Sequence, residues 1–417
     1  MGVGISGDGC MRAQLDRCGC ALRRAAGWVF PVRAPLGLLP LWMAVSEQEG
    51  GRGDVCAGAR SGRTFHRDVL AGIADNIPHA AAALGEGSEI LGFDTERSTD
   101  HGWGPRAQIF VRADAVESLR ARIDARLPET FQGWPVRYYR WQTGRVEHHV
   151  GVTTVGEWLT SHLGFDPRVS LTVGAWLGSP QQILLEVTGG TVFRDDSGEL
   201  TRIREMLAWY PHDLWLWMMA SQWQRLQDDE SLIGRTADVG DDLGSRLVAA
   251  RIAQGAVRLC FLQERRYAPY AKWLGSAFAR LDAATEVGPL LHGVLAAADF
   301  ASREHALVRL YETLARRHNA LGVTAPLSTA TGAFAVGIGG AVRPFRVLNA
   351  DRFVQACLAS IGDEHLRRLP VVGSIDQITA PTDLLIHFTD WPRQLGALYE
   401  RQLRSGSEVS GHSPPLA

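Results

Sequence analysis

A glycine-rich turn followed by an acidic loop is the part of the sequence best suited to chemistry. Residues 85–106 read GEGSEILGFDTERSTDHGWGPR and contain the pair Gly87-Ser88. Glycine lets the backbone approach a phosphate closely, and the Ser88 hydroxyl and nearby N–H groups can bond phosphate oxygens. Asp100 stands just before the apolar run AQIFV, where its carboxylate could hold Mg²⁺ (or Mn²⁺) against the same phosphates. The pattern predicts a metal-dependent triphosphate site with Asp100 as a catalytic metal ligand.

Other acidic residues could complete such a site. Glu147 lies on the same face of a predicted strand as Gly151, because side chains alternate with a period of two, and we predict it to be catalytic. Asp94 and Glu96 are predicted metal ligands. Further possible ligands are Glu186, His101 and His149, although imidazole is not a favoured partner of Mg²⁺. The alternative is that this acidic, Ser/Thr-rich loop is a solvated turn.

Lys272 is the only lysine among the 43 basic residues of the chain. It follows Tyr270 in the segment YAPYAKWLG, where aromatic residues flank it. An ammonium is a compact point charge that a planar guanidinium does not replace, so we predict that Lys272 contacts phosphate. Tyr270 and Arg106 are predicted to bind the nucleotide with it. Chance retention of one surface lysine is the alternative.

Composition excludes some partners and leaves others open. The 417 residues are 46% hydrophobic, enough for a large core, and the net charge of −2 gives no field that would attract nucleic acid or an anionic membrane. The apolar stretch 26–45 is interrupted by Arg33 and three prolines, so we interpret it as neither a signal nor a span. The six cysteines form no disulfide or zinc pattern, which favours a cytoplasmic location.

Hydrophobic periodicity predicts two regions of different character. The first contains helices over Phe65 to Leu84 and Ala115 to Leu127, with strands over Ala107 to Val111, Val136 to Trp141 and Arg145 to Val152. The second is a series of helical runs: Leu200 to Ala208, Leu214 to Gln227, Leu243 to Glu264, Trp273 to Leu281, Leu290 to Ala298 and Ala306 to Arg317. The Trp-rich run 214–223 is predicted to pack a core rather than to stack on a base.

These elements predict a fold of class α/β plus all-α. A small mixed α/β domain is expected at 61–200 and a helical domain at 201–330. Residues 1–60 are expected to be a disordered N-terminal extension. Residues 331–417 are left unassigned, with a disordered tail from about residue 404.

Several motifs, in order, resemble one family of uncharacterised two-domain proteins similar to the nucleotidyltransferase superfamily, of the kind typified by kanamycin nucleotidyltransferase. They are DHGWGPR (100–106), WYPHDLWLWMMASQW (209–223), GRTADVGDDLGSR (234–246), LCFLQERRYAPYAKWLGSAF (259–278) and RRHNALGVT (316–324). The resemblance implies a nucleotidyltransferase-like sheet and a helical domain that closes a nucleotide cleft. It also implies transfer of a nucleotidyl group from an NTP to an acceptor hydroxyl, with release of pyrophosphate.

The sequence departs from that superfamily at two acid positions. The Gly-Ser turn is expected to be followed by an Asp-x-Asp pair and a later third acid, but Gly102 stands at the second position and Gly151 where the third might lie. Two functions therefore remain open. One is a metal-dependent nucleotidyltransferase that uses an NTP, with ATP as first choice, and an unidentified acceptor. The other is a nucleotide- or phospholigand-binding protein of the same fold without activity, with a structural scaffold as a third class.

Overall fold

The first part of the chain contains a five-stranded mixed sheet. The computed structural model describes residues 58–95, 97–98, 103–140, 143–335, 339–387 and 389–405, apart from the side chains at 58–60 and 391. The strand order is β5-β6-β2-β1-β7. The strands up to residue 195 are β1 (Ala80–Ala83), β2 (Arg106–Phe110), β3 (Thr130–Phe131), β4 (Trp134–Pro135), β5 (Arg137–Arg140), β6 (Arg145–Thr153) and β7 (Thr191–Asp195). Strands β3 and β4 form a separate small pair.

The centre of the sheet combines parallel and antiparallel pairing. Strand β2 runs parallel to β6, with Gln108 opposite Gly151. The other pairs, β1 with β2, β1 with β7 and β5 with β6, are antiparallel. The predicted strands in this region are confirmed, including the pair formed by β5 and β6.

Helices surround the sheet and then continue alone. The first helix, α1, covers Gly58–Phe65, passes through a π-helical turn at His66–Leu70 and ends at Ala71–Ile73. The others near the sheet are α2 (Ser88–Leu91), α3 (Ala113–Arg126), α4 (Val155–Leu163), α5 (Val173–Gly178) and α6 (Gln181–Thr188). The series that follows is α7 (Glu199–Met206), α8 (His212–Glu230), α9 (Leu232–Asp238), α10 (Asp242–Gln263), α11 (Ala271–Phe278), α12 (Ala284–Ala296) and α13 (Phe300–Ala320).

The region after residue 331, for which the sequence predicts no elements, contains a hairpin and five more helices within the described ranges. They are β8 (Gly332–Ala335), β9 (Val342–Val347), α14 (Asp351–Ala359), α15 (Glu364–Arg368), α16 (Ile375–Ile378), α17 (Thr382–Ile386) and α18 (Asp390–Ser405). The predicted fold class is confirmed: a mixed sheet with helices is followed by a helix-rich region.

Two buried clusters lie on the two faces of the sheet. The smaller cluster joins Ile109 and Val150 of the sheet to Phe65 of α1 and Leu119 of α3. The larger cluster begins at Phe110 on the other face and extends through the helices. Trp215, Trp217 and Trp223 of α8 are fully buried in this larger cluster, as predicted for the Trp-rich run.

The predicted helix over Phe65 to Leu84 is wrong in its second half. The helix ends at Ile73, and Ala80–Ala83 form the strand β1 between β2 and β7. Alanine favours a helix in isolation, but all four alanines are buried in the sheet, and Ala80 and Ala82 belong to the larger cluster. Tertiary burial therefore decides the structure of this segment. Among the described residues, no helix is both long and apolar enough to span a bilayer.

Candidate functional site

A cleft of about 840 Å³ opens at the end of the sheet where β1 finishes and β2 begins. One side, which we call the sheet wall, carries residues of the turn after β1 and of strands β2, β5 and β6. The opposite side, the helical wall, carries residues of α4, α6 and the start of α11. The sheet wall includes Glu86, Gly87, Ser88, Glu89, Arg106, Gln108, Arg140 and His149, and the helical wall includes His162, Gln182, Glu186, Tyr270 and Lys272.

The Gly-Ser turn follows strand β1 rather than the predicted helix, and a side chain of the protein lies against it. Gly87 has φ of +132°, a conformation that a residue with a Cβ rarely adopts. A Cβ at Gly87 would lie 2.2 Å from Arg106 Nη2. That guanidinium donates to the carbonyl of Glu86 and forms an ion pair with Glu89. Glycine is therefore needed here for the approach of Arg106, and the charge of Arg106 is already balanced.

Strands β2 and β6, where acidic metal ligands were expected, carry groups that are neutral or already paired. A Cβ at Gly151 would lie 1.9 Å from Gln108 Oε1, so the Gln108 side chain covers this glycine. Glu147 forms an ion pair with Arg140, with Nε to Oε1 at 2.7 Å, and is not among the residues that line the cleft. His149 stacks on Tyr138 with ring centroids 3.7 Å apart, and burial lowers the pKa of His149 to about 4. The imidazole of His149 is therefore neutral at physiological pH.

The helical wall contains a buried carboxylic acid. Glu186 of α6 is 5% exposed, and its Oε1 accepts a hydrogen bond of 2.9 Å from Gln182 Nε2. Among the described residues, no donor bonds Oε2. Burial, with a smaller contribution from Glu86, raises the pKa of Glu186 to about 7. A carboxyl group with this pKa can exchange a proton with a ligand at neutral pH.

Two neighbouring glutamines fix the segment before α11. Gln181 Oε1 accepts from the backbone N–H of Ala268 at 2.7 Å, and Gln182 Oε1 accepts from that of Tyr270 at 3.2 Å. These bonds join α6 to the start of α11 and place Tyr270 beside Glu186, which together with burial raises the pKa of the Tyr270 hydroxyl. Gln182 thus holds both Glu186 and the backbone of Tyr270.

Lys272 follows at the rim of the cleft. Its side chain is exposed, and its Nζ lies 4.7 Å from the ring centroid of Trp273. Trp273 stacks on Phe93 from the loop after α2, with ring centroids 5.1 Å apart, and Arg280 covers the Phe93 ring. The aromatic contact therefore joins the acidic loop to α11 and keeps the lysine near the Gly-Ser turn.

His162 adds an imidazole to the cleft that the sequence analysis did not identify. Its Nε2 lies 3.6 Å from the position of a Cβ on Gly85, and its Nδ1 lies 2.9 Å from the carbonyl of Trp158. Burial lowers the pKa of His162. The signal that could have found it is the capping box of α4, formed by Thr154 and Glu157, which marks the helix that carries His162.

Some of the predicted site residues line the cleft and others do not. Gly87, Ser88, Arg106, Tyr270 and Lys272 all line one cleft, although they come from distant parts of the chain. Asp100 and Glu96 lie outside the described residues, as do His101 and Gly102, and Asp94 is described but does not line the cleft. Within the described ranges, no three His, Cys, Asp or Glu side chains group closely enough to hold a metal ion.

Comparisons with known proteins give two findings. Residues 176–274 match a family described as a domain of unknown function (DUF4037), a segment that includes Glu186, Tyr270 and Lys272. The chain is also similar to the solved structure of a nucleotidyltransferase-like protein from Exiguobacterium sibiricum 255-15, with 17% identity over 63% of this chain and 77% of that chain, and a TM-score of 0.29. No curated protein matches. The family description agrees with the predicted resemblance to an uncharacterised family, and a TM-score of 0.29 assigns no role to any residue of this chain.

Proposed function

We propose that the cleft binds a nucleoside triphosphate and that the protein transfers the nucleotidyl group to an acceptor hydroxyl. One observation carries the proposal: a turn with a glycine at positive φ, the only lysine of the chain and a buried carboxylic acid meet in one cleft. The cleft volume of about 840 Å³ is within the range of small-molecule sites. ATP is our first choice of nucleotide.

The ammonium of Lys272 and the hydroxyl of Ser88 would contact the phosphates from opposite walls. Lys272 is exposed and has no carboxylate partner among the described residues, so its charge is available to a ligand. Tyr270 would lie along the nucleotide, because its backbone is fixed by Gln182. We assign Arg106 a supporting role, since its guanidinium holds the turn through Glu86 and Glu89.

Glu186 is our choice for the group that accepts the proton of the acceptor. In the proposed step, the acceptor oxygen attacks the α-phosphorus as its proton passes to Glu186 Oε2. The bond from the α-phosphorus to the oxygen that bridges it to the β-phosphate breaks, and pyrophosphate leaves. A base with a pKa of about 7 suits proton transfer at neutral pH.

In this proposal, Mg²⁺ (or Mn²⁺) would be bound by residues outside the described ranges. The described carboxylates of the cleft, Glu86, Glu89 and Glu186, do not group closely enough to hold a metal ion; Glu89 is paired with Arg106, and Glu186 is bonded by Gln182. If Asp100 and Glu96 supply the ligands, the ion would neutralise phosphate charge. The roles given to Lys272 and Glu186 do not depend on it.

A second candidate is nucleotide binding without transfer. The observation that favours it is the replacement of acids on the sheet wall, where Gln108 covers Gly151 and Arg140 holds Glu147. Two-metal chemistry needs carboxylates at such positions, whereas binding of phosphates does not.

The deciding experiment incubates the protein with each of the four NTPs and Mg²⁺ or Mn²⁺, and measures pyrophosphate release and thermal stability together. Pyrophosphate release that is lost in Glu186→Gln supports the transferase. Stabilisation by an NTP without pyrophosphate supports the binding protein. If no NTP stabilises the protein and no pyrophosphate appears, both proposals are wrong.

A further inference from the structure

A second cavity, which we call the arginine pocket, lies within the helical region, away from the residues of the cleft. Its volume is about 170 Å³, and it is lined by α8, α10 and residues 376–380, with the exposed Arg225 and Arg251 among the lining residues. It shares no lining residue with the cleft.

The pocket is built from matching stripes on two helices. Helix α8 contributes Gln222, Arg225, Leu226 and Asp229, and α10 contributes Arg251, Gln254, Gly255 and Arg258. Both sets have the spacing i, i+3, i+4, i+7, so each lies on one face of its helix. The two faces meet where Gln222 Nε2 donates to the carbonyl of Gly255 at 3.1 Å. This contact leaves the long arginine side chains on either side of the cavity.

Two of the three arginines in the pocket make no direct contact with an anion. Arg251 forms an ion pair with Asp229. Among the residues that the structure describes, none forms a hydrogen bond or an ion pair with the side chain of Arg225 or Arg258. Partial burial lowers the pKa of Arg225, while attraction from Asp229 is opposed by repulsion from Arg258 and Arg251. The guanidinium N–H donors of Arg225 and Arg258 are therefore available to a ligand.

The remaining wall places a carboxyl group near Arg258 without a hydrogen bond to it. Asp376 is 5% exposed, and its Oδ2 accepts a hydrogen bond of 2.9 Å from the backbone N–H of Gln181. Arg258 lies near this carboxyl group, whose pKa is nevertheless raised by burial. One oxygen of Asp376 is thus committed to α6, and no hydrogen bond to Arg258 forms.

We infer that the arginine pocket is a second ligand site, which binds a phosphate group through the guanidinium groups of Arg225 and Arg258. Guanidinium groups bind phosphate oxygens with paired N–H donors, and two such groups from different helices suit a tetrahedral oxyanion better than a flat carboxylate. The small volume excludes a whole nucleotide and admits inorganic phosphate or the phosphate of a small ester. The chemistry of the ligand is the same in both cases.

The test is a calorimetric titration of the full chain with inorganic phosphate, glycerol 3-phosphate and acetate. We expect both phosphates to bind and acetate to bind at least about tenfold more weakly. Arg225→Gln and Arg258→Gln should each weaken phosphate binding by about tenfold or more, since each removes a charge-assisted hydrogen bond. The ester should bind more tightly than inorganic phosphate if the ligand is a metabolite, and less tightly if it is the free ion.

Two controls separate the arginine pocket from other basic sites. Arg235→Gln and Arg309→Gln remove exposed arginines of α9 and α13 that line neither cavity. Phosphate affinity should be unchanged in both. Phosphate should raise the melting temperature of the parent and of these two controls but not of the double variant Arg225→Gln/Arg258→Gln, and the double variant should melt no lower than the parent without phosphate. Unchanged affinity in the double variant, equal loss of affinity in the two controls, or equal binding of acetate would overturn the inference.

Discussion

The two walls of the cleft differ in what their charged side chains contact. On the sheet wall, Arg106 pairs with Glu89 and Arg140 pairs with Glu147. On the helical wall, the carboxylate of Glu186 keeps an oxygen without a donor among the described residues, and Lys272 is exposed. The groups that can act on a ligand therefore come mainly from the helices. In the proposed complex, the Gly-Ser turn would contribute shape rather than charge to the phosphate site.

The largest expected effect is on the rate of transfer, in Glu186→Gln. We expect pyrophosphate release to fall by about 10²- to 10⁴-fold, the usual range for loss of a general base. Nucleotide affinity should change by less than about threefold, because the amide keeps the shape and can still contact Gln182. Since the free carboxylate is the active form, the parent rate should rise as the pH increases through about 7.

Glu147→Gln is the matched control on strand β6, outside the cleft. Its carboxylate is paired with Arg140 and does not line the cleft, so the rate should stay within about threefold of the parent. Equal losses in the two variants would mean that the sheet wall also takes part in the chemistry, and the distinction between the walls would fail.

The next effect is on binding, at Lys272. Lys272→Arg should weaken nucleotide binding nearly as much as Lys272→Ala, because a planar guanidinium does not replace a compact ammonium at a phosphate. The loss should be on the order of 1.5 to 3 kcal/mol, or about tenfold to a hundredfold in dissociation constant. Calorimetric titration measures it, and both variants should melt as the parent does. An arginine variant that binds as tightly as the parent would return Lys272 to the status of a chance surface lysine.

A smaller expected effect is on the stability of the folded protein, and it arises from a histidine pair next to the sheet. His66 of α1 and His79, just before β1, are joined by a hydrogen bond of 3.0 Å between their Nε2 atoms. His79 Nδ1 lies 2.8 Å from the carbonyl of Ile77 and so carries a proton, which makes His79 Nε2 the acceptor and His66 the donor. Asp196, Arg194 and Arg63 surround the pair, and burial lowers the pKa of both imidazoles, that of His66 to about 4.

Because both folded-state pKa values lie below the ordinary value of 6.5, the unfolded chain binds protons more readily. The pair therefore stabilises the protein fully above about pH 6.5, and this stabilisation is lost as the pH falls toward 4, by on the order of 1 to 3 kcal/mol. Denaturant unfolding across this range should show the loss in the parent and less of it in His66→Gln. His292→Gln, which removes an exposed histidine of α12, should behave as the parent. A flat profile in the parent would show that the pair does not couple to folding.

Parts of this structure could be predicted from the sequence because their signals are local. The strand pair β5 and β6 alternates polar and apolar residues around a turn, and the long helices α8, α10 and α13 repeat their apolar residues at helical spacing. Strand β1 could not be predicted, since four alanines favour a helix until neighbouring strands bury them. The Gly87-Ser88 turn and Lys272 were predicted as site residues from residue type and local sequence, and in the structure they line the same cleft. The pairing of Arg106 with Glu89, and the opening of Glu186 to the cleft, depend on contacts between segments far apart in sequence.

The smallest expected effect is the sharpest test of the sheet wall. A single change at Arg106 would leave Glu89 without its partner. Its effect would then combine the loss of a contact to the ligand with the cost of an unpaired charge on Glu89, and the two could not be separated. The double variant Glu89→Gln/Arg106→Gln removes both charges, keeps side chains that can hydrogen bond and leaves the net charge of the protein unchanged. If the pair serves only to hold the turn around Gly87, the nucleotide affinity of the double variant should change by less than about threefold, or roughly 0.7 kcal/mol. In the same titration, the nucleotide affinity of Lys272→Ala should fall by about tenfold or more. A loss of about tenfold in the double variant would mean that Arg106 contacts the phosphates in the bound state, and that the sheet wall supplies charge to the ligand after all.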